Sequence, residues 1–422
     1  MIDAPTPFVL RFPLGADNRA REYEIPAGAA RSLVNLDVTA GGGLRCRNGA
    51  RRVLTGDFHS FFVHPSLDFA LVVADGALAR WDGAGLTSLV AGIVGRVSCA
   101  VLNGEVYWSD GFRQGRVDAG GAASYWGLAT PPRIVASAVV GHGLIAGTYQ
   151  VTHTALYGDL ESGAPECVAV EVPSGGGLSV TVPAGATFRV YVSAGDGSRS
   201  ELRAVADVAS GATFEFGSGL RGKRLESLGA VAPLPGQCVA HYKGRLWVAS
   251  GAVVWFTSAR SPHWLFPAEG YFQFESPVVA LAVTEDGLYV ATASRTYFLQ
   301  GANPADMVQR VVASVGAASG SAFAGLAHDL FAGDGGFLGQ QSAWIDAEGY
   351  LAIGKAGGVI LRPHKPRYCA GGGIAGAVAQ WDHDGLAQIV AAATVDGRHP
   401  PPNVAADVAV AETFAHGIVL GA

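Results

Sequence analysis

Asn103-Gly104-Glu105-Val106-Tyr107-Trp108 and Lys243-Gly244-Arg245-Leu246-Trp247-Val248 share one grammar: a polar residue, a glycine, then a strand of alternating character. Asp75-Gly76 before Ala77 to Trp81 and Asp286-Gly287 before Leu288-Tyr289-Val290 repeat it, and Glu348-Gly349 and Asp384-Gly385 are weaker copies. A polar residue followed by glycine supplies the positive φ that a tight hairpin needs, and the period-2 run behind it is a half-buried strand. Hairpins repeated at regular spacing mark a propeller or another radially repeated β-fold. The sequence therefore predicts an all-β, β-propeller-like repeat scaffold.

The spacing of the glycines refines this. Gly244 and Gly287 are 43 positions apart and Gly349 and Gly385 are 36, near the roughly 40 residues of a four-stranded blade. The 62 positions from Gly287 to Gly349 suggest a degenerate copy near Ala332-Gly333-Asp334-Gly335, and the 28 from Gly76 to Gly104 suggest two hairpins close together, not successive blades. The 140 from Gly104 to Gly244 are too many for one blade and predict an insertion. Trp126 to Pro132 reads as its exit linker and Val231 to Gly236 as its re-entry, bracketing alternating runs at Thr148–His153, Leu178–Val182 and Phe188–Val192. A β-sandwich of about 100 residues fits the gap. The expected domains are 1–130 (N-terminal segment and first blades), 131–230 (inserted sandwich) and 231–422 (remaining blades and C-terminal segment).

Composition narrows the function classes. Of 422 residues, 49% are hydrophobic and 15% charged, an apolar balance that fits subunits covering one another's surfaces. The net charge of −6 argues against a phosphate-neutralising nucleic-acid binder. The cluster Arg45, Arg47, Arg51 and Arg52 reads as a solvated edge. No apolar run reaches membrane-spanning length, and Met1-Ile2-Asp3-Ala4-Pro5 lacks a signal peptide's basic and apolar blocks. Five cysteines, odd in number and scattered, read as thiols made in a reducing compartment.

Searches for catalytic chemistry return near misses. Gly217 to Lys223 matches the start of a phosphate loop, but Arg224 stands where a magnesium-binding hydroxyl belongs. Gly371-Gly372-Gly373-Ile374-Ala375-Gly376 lacks the preceding buried strand of a dinucleotide site. Asp382-His383-Asp384-Gly385 lacks the later ligands of a calcium loop. The histidines have no zinc spacing, and Glu269, Glu275, Glu285 and Asp286 are candidate acids only in the weakest sense. No catalytic residue, cofactor or metal is assigned. The aromatics Trp247, Trp255, Phe256, Trp264, Phe266, Tyr271, Phe272 and Phe274 suit strand packing or a subunit interface. Ser258 to Trp264 breaks the alternation, and Arg260, His263 and Trp264 on it are the candidate partner-contact residues.

Several blocks together resemble tailed-bacteriophage virion proteins. They are Asn18-Arg19 through Arg31, Asn35-Leu36-Asp37-Val38, Gly43-Leu44-Arg45, Arg47-Asn48-Gly49, Asp110-Gly111 leading to Trp126-Gly127-Leu128 and Pro131-Pro132, Gly147-Thr148-Tyr149, Tyr157-Gly158 and Glu161-Ser162. In that class a β-propeller carries an inserted fibronectin III-like module, and the nozzle, or tail hub, of short-tailed phages is the nearest functional analogue. The resemblance implies a structural, non-enzymatic role in the virion tail after synthesis in the host cytoplasm. The homo-oligomer would be a hexameric ring below a portal or adaptor ring, carrying tail fibre proteins, with genome DNA passing through unbound. An acidic lumen would not trap a moving polyanion. Two alternatives stay open: a glycan-binding host-recognition or fibre protein, and a carbohydrate-active propeller enzyme.

Overall fold

The computed structural model describes residues 11–34, 36–39, 41–46, 54–217, 222–326, 339–383, 386–395 and 418–421. Ala332 to Gly335, Arg47, Arg51, Arg52, Asp384-Gly385 and positions 218–221 of the Gly217–Lys223 stretch lie outside them. Among the described residues the regular structure is β-strand with a few short 3-10 turns, and no α-helix. The chain divides into two compact units, His59–Gln273 on one side and Met1–Phe58 with Phe274–Ala422 on the other.

In the first unit, three four-stranded antiparallel meanders have the strand plan of a propeller blade: Phe58–Ala91, Ser98–Ser124 and Cys238–Gln273. The first strands of neighbouring meanders lie side by side. The Val97 amide donates to Ser60 Oγ at 2.9 Å, and the Val239 amide donates to Ser98 Oγ at 2.9 Å. In the other unit, Val278–Ala313 and Phe323–Leu361 form two more such meanders. A three-stranded sheet of Gly373–His383, Leu386–Val395 and Ile418–Gly421 stands beside them. Val378, Ile389 and Ala391 of that sheet share one core with Ile345, Leu351 and Ile353 of the last meander.

Turn chemistry explains why these residues fold so. Asp75-Gly76, Asn103-Gly104 and Lys243-Gly244 each join paired strands by a two-residue loop with both φ angles positive, at 48° and 75°, 55° and 79°, and 48° and 73°. That is the hairpin whose twist matches the strands it joins. Gly287 works differently. Its φ is not positive, and a Cβ there would strike the Leu299 carbonyl and the Phe298 ring, so the glycine answers to close approach.

The motif does not sit at one fixed turn of the meander, which corrects two expectations from its spacing. Asn103-Gly104, Lys243-Gly244 and Asp286-Gly287 lie between first and second strands, whereas Asp75-Gly76 and Glu348-Gly349 lie between second and third. The short interval of 28 therefore separates turns of two successive full meanders. The long interval of 62 reflects the same change of turn and requires no extra copy. Measured between first strands, Phe58, Ser98, Cys238 and Val278 are 40, 140 and 40 positions apart.

The extra hundred residues build a β-sandwich whose strands run from Val135 to Phe216. One sheet orders Val135–Val140, Gly176–Thr181 and Thr213–Phe216. The other is centred on the long strand Gly147–Tyr157, flanked by Val168–Val172 and by Thr187–Val192, which pairs in turn with Arg203–Val208. Strict alternation sends Val151, Val170, Leu178, Val180, Val190 and Val192 into one apolar core between the sheets.

Candidate functional site: the junction of the inserted module

The long strand Gly147–Tyr157 is buried on both faces. One face supplies Tyr149 and Val151 to the sandwich core, and His153 follows them in the alternation. The imidazole is fully buried, lies 5.1 Å from the Phe188 ring and has no hydrogen-bond partner on either nitrogen. Burial alone pushes its pKa down to about 4, so it is a neutral core residue at neutral pH.

The opposite face makes polar contacts with the segments that follow it in the module. Glu161 is the hub. Its carboxylate accepts from Thr154 Oγ1 at 2.8 Å, from the Tyr191 hydroxyl at 2.5 Å and from Lys223 Nζ at 2.5 Å, with Arg189 at 3.5 Å. Burial pushes its pKa up, but the bonds from Lys223, Tyr191 and Thr154 outweigh it and hold the carboxyl below its ordinary value. Beside it, Tyr191, Leu202, Cys167, Ala164 and Leu225 make a small apolar core joining the module to the returning chain.

A second anchor begins on the Ser98–Ser124 meander. The Arg116 side chain is almost wholly buried and reaches Glu105 on its own sheet at 3.1 Å and Asp159 of the module's hairpin at 2.5 Å. Burial disfavours the guanidinium charge, yet the two carboxylates outweigh it and raise its pKa. Trp126, at the exit from the meander, is buried with its indole donating to the Pro262 carbonyl at 2.9 Å.

The predicted contact loop lies at this junction. His263 Nδ1 is 2.6 Å from the Trp126 carbonyl, so that nitrogen carries the proton; burial lowers its pKa, the carbonyl partly offsetting it. The Trp264 indole donates to the Glu161 carbonyl at 2.7 Å. Arg260 alone of the three is exposed, 3.6 Å from Glu226. Two of the three thus spend their polar atoms inside the chain: Trp264 fastens the module, and His263 ties its loop to the exit linker at Trp126.

Sequence reasoning did not single out Arg116, Glu105 or Asp159, and it met Trp126 and Glu161 only as linker or resemblance residues. The available signal was an acid, Glu161, two residues after a Gly158-Asp159 turn that follows a strand without carboxylates, lysines or arginines. Most of the remaining aromatic cluster is strand packing. Trp247 is fully buried against Phe256 at 5.3 Å and Phe272 at 5.9 Å, and Trp255 contacts the half-exposed Tyr271 at 5.0 Å; Phe274 and Tyr297, both of the other unit, pack together at 5.0 Å.

Three of the four weak acid candidates are engaged within the chain: Glu275 with Arg295 at 2.7 Å, Asp286 with the Gly357 amide at 2.9 Å, and Glu269 with Arg245 at 4.0 Å. Lys223 of the phosphate-loop near miss is the partner of Glu161. No group of three or more metal-ligating side chains occurs among the described residues.

No family model matches this chain, and no curated protein does. Among solved structures, it is similar to BBS1N in complex with ARL6DN at 9% identity and a TM-score of 0.33, covering 78% of this chain and 85% of that one. It is also similar to KlHsv2 with loop 6CD replaced by a Gly-Ser linker, at 8% and 0.28, covering 82% and 96%. PorZ, a surface component of the type-IX secretion system of Porphyromonas gingivalis, matches at 10% and 0.17, covering 84% and 63%. Likeness at this level assigns no function, and the all-β architecture rests on the strands described above.

Proposed function

We propose that this chain is a structural component of a bacteriophage tail, a nozzle-like subunit whose meanders form a β-propeller and whose inserted sandwich is fibronectin III-like. Copies assemble into a hexameric ring that extends the DNA ejection channel and anchors neighbouring tail or fibre proteins. The observation that carries this reading is the clamped junction. Arg116 and Trp264 bind the module to its meanders, through Asp159 and the Glu161 carbonyl, and the sandwich and three of the meanders belong to one compact unit. A module held at fixed orientation suits a building block that must present the same outer surface in every copy. Support also comes from the resemblance of the N-terminal blocks and from exposed aliphatic and aromatic side chains such as Val94, Phe112, Val140 and Ile145, which neighbouring copies would cover.

Native mass spectrometry and negative-stain imaging of the purified chain test it. Closed rings, or co-purification with tailed particles, are the expected result; a monomer at every concentration and no particle association would sink it. One observation favours the second reading, glycan recognition. The exposed rings of Tyr125 and Tyr157 meet edge to face at 5.4 Å near the module hairpin that carries Asp159. Stacking on saccharides is a common use of such rings, and a glycan array with a Tyr125→Ala, Tyr157→Ala variant decides it.

A further inference from the structure

The second unit contains an open cavity of about 710 Å³ that plays no part in the junction. Its wall carries two cations on one ring. The Arg19 guanidinium lies 5.6 Å from the centre of Tyr350, and Lys365 Nζ lies 5.2 Å from it. Their placement is built, not incidental. Arg19 donates to the Lys365 carbonyl, and its neighbour Asn18 is buried and bonded in both directions to the Cys369 backbone, at 2.8 and 3.0 Å. The Asn18 amide also donates to the Arg367 carbonyl at 3.0 Å. Residues near the start of the chain are thereby stitched to the 365–369 segment, bringing both charges to the cavity before any ligand arrives.

The rest of the lining says what would bind. Glu348 is the one carboxylate among the lining residues, 3.6 Å from Lys365, and both side chains are about half exposed. An ion pair that open to water is weak and yields readily to a competing anion. The remaining walls are Ser294, Ser314, Cys369, alanines and glycines, with Val315 the one branched aliphatic side chain among the lining residues, too little apolar surface to favour a hydrophobic guest. The cations occupy the Tyr350 ring, which leaves charge and hydrogen bonding as the means of recognition. The volume falls in the range of small-molecule sites, roughly 300–1,000 Å³.

We propose that this cavity binds an anionic ligand through a carboxylate or phosphate group held by Arg19 and Lys365. The source is either a free small anion or the acidic end of a partner polypeptide. The site stands whether or not the chain forms rings, so its failure and that of the tail reading are separate results.

Isothermal titration of the full chain at low salt tests it with three probes: inorganic phosphate, citrate and a tetraglutamate peptide. Saturable one-to-one binding to at least one is expected. Phosphate alone would identify the phosphate form, citrate alone a free carboxylate ligand, and the peptide alone an acidic chain end. Lys365→Gln should weaken binding about tenfold, and Glu348→Gln, which removes the competing acid, should strengthen it several-fold. Both positions are half exposed, so circular dichroism should show both variants folded. Absence of saturable binding to all three probes, or affinities that ignore both substitutions, would overturn the assignment.

Discussion

The two faces of the strand Gly147–Tyr157 bury ionisable groups by opposite means. On the core side His153 packs against the Phe188 ring with no hydrogen bond, so burial holds it neutral. On the junction side Glu161, itself on the next short strand, collects Thr154, Tyr191, Lys223 and Arg189 and stays charged. The sandwich core is closed by shape and apolar area, which tolerates a polar ring only in its uncharged form. The junction is closed by directional contacts, which fix how the module sits as well as whether it sits.

The sharpest break of this contrast is Glu161→Ala. It removes the acceptor of the buried Tyr191 and Thr154 hydroxyls, while Lys223, 55% exposed, returns to water and Arg189 keeps its two bonds to Asp207. Leaving two buried hydroxyls without their acceptor costs about 1–3 kcal/mol apiece. Urea denaturation of the full chain should show the drop, and limited proteolysis should now cut the 223–231 return segment. A stability loss under about 1 kcal/mol would mean that the apolar contacts of Tyr191, Leu202 and Leu225 hold the junction by themselves.

His153 gives the next largest effect, and it appears only in acid. Its folded pKa, about 4, lies below the ordinary 6.5. Its contribution is therefore fully present above pH 6.5 and is lost as pH falls through 4. The difference corresponds to about 3 kcal/mol. His153→Leu should flatten that part of the stability–pH curve relative to wild type. It should also stabilise the protein at pH 7 by about 1 kcal/mol, because two unpaired buried nitrogens disappear. Parallel curves for the two proteins would show that the ring already finds a partner in solution.

The scaffold was legible in the sequence because its turns are chemically distinctive. Asp75-Gly76, Asn103-Gly104 and Lys243-Gly244 announce their hairpins, and the gap from Gly104 to Gly244 announces an insertion. The phase of the repeat was not legible, since a glycine required for positive φ and one required for close approach, as at Gly287, look alike in a string of letters. The junction was harder still. Arg116 and Asp159 are 43 positions apart, and Trp264 meets Glu161 across 103; pairings that distant leave no local pattern. Loop 258–264 could be recognised as unusual, but its aromatic and basic residues read the same whether they face a partner or their own chain.

Trp264→Phe tests that last ambiguity with a smaller effect. An aromatic ring is kept while the indole donor to the Glu161 carbonyl and part of the ring area are lost, which should cost about 1–2 kcal/mol. If Trp264 instead serves a partner, stability would stay unchanged while assembly or ligand binding falls.

Asp159→Asn should have the smallest effect, and the reason lies in its exposure. The bond from Arg116 is short and holds the Asp159 pKa below its ordinary value, so whatever it contributes is present above about pH 4 and is lost in stronger acid. Yet Asp159 is 65% exposed, and Arg116 keeps Glu105 at 3.1 Å when Asp159 is neutralised. Removing a solvated partner from a cation that retains another costs under about 1 kcal/mol. The variant should therefore unfold nearly as wild type in urea and lose most of its small deficit in high salt. A loss approaching that of Glu161→Ala would show that the two anchors act as one network, with Arg116 joined to the Glu161 hub more tightly than their separate contacts imply.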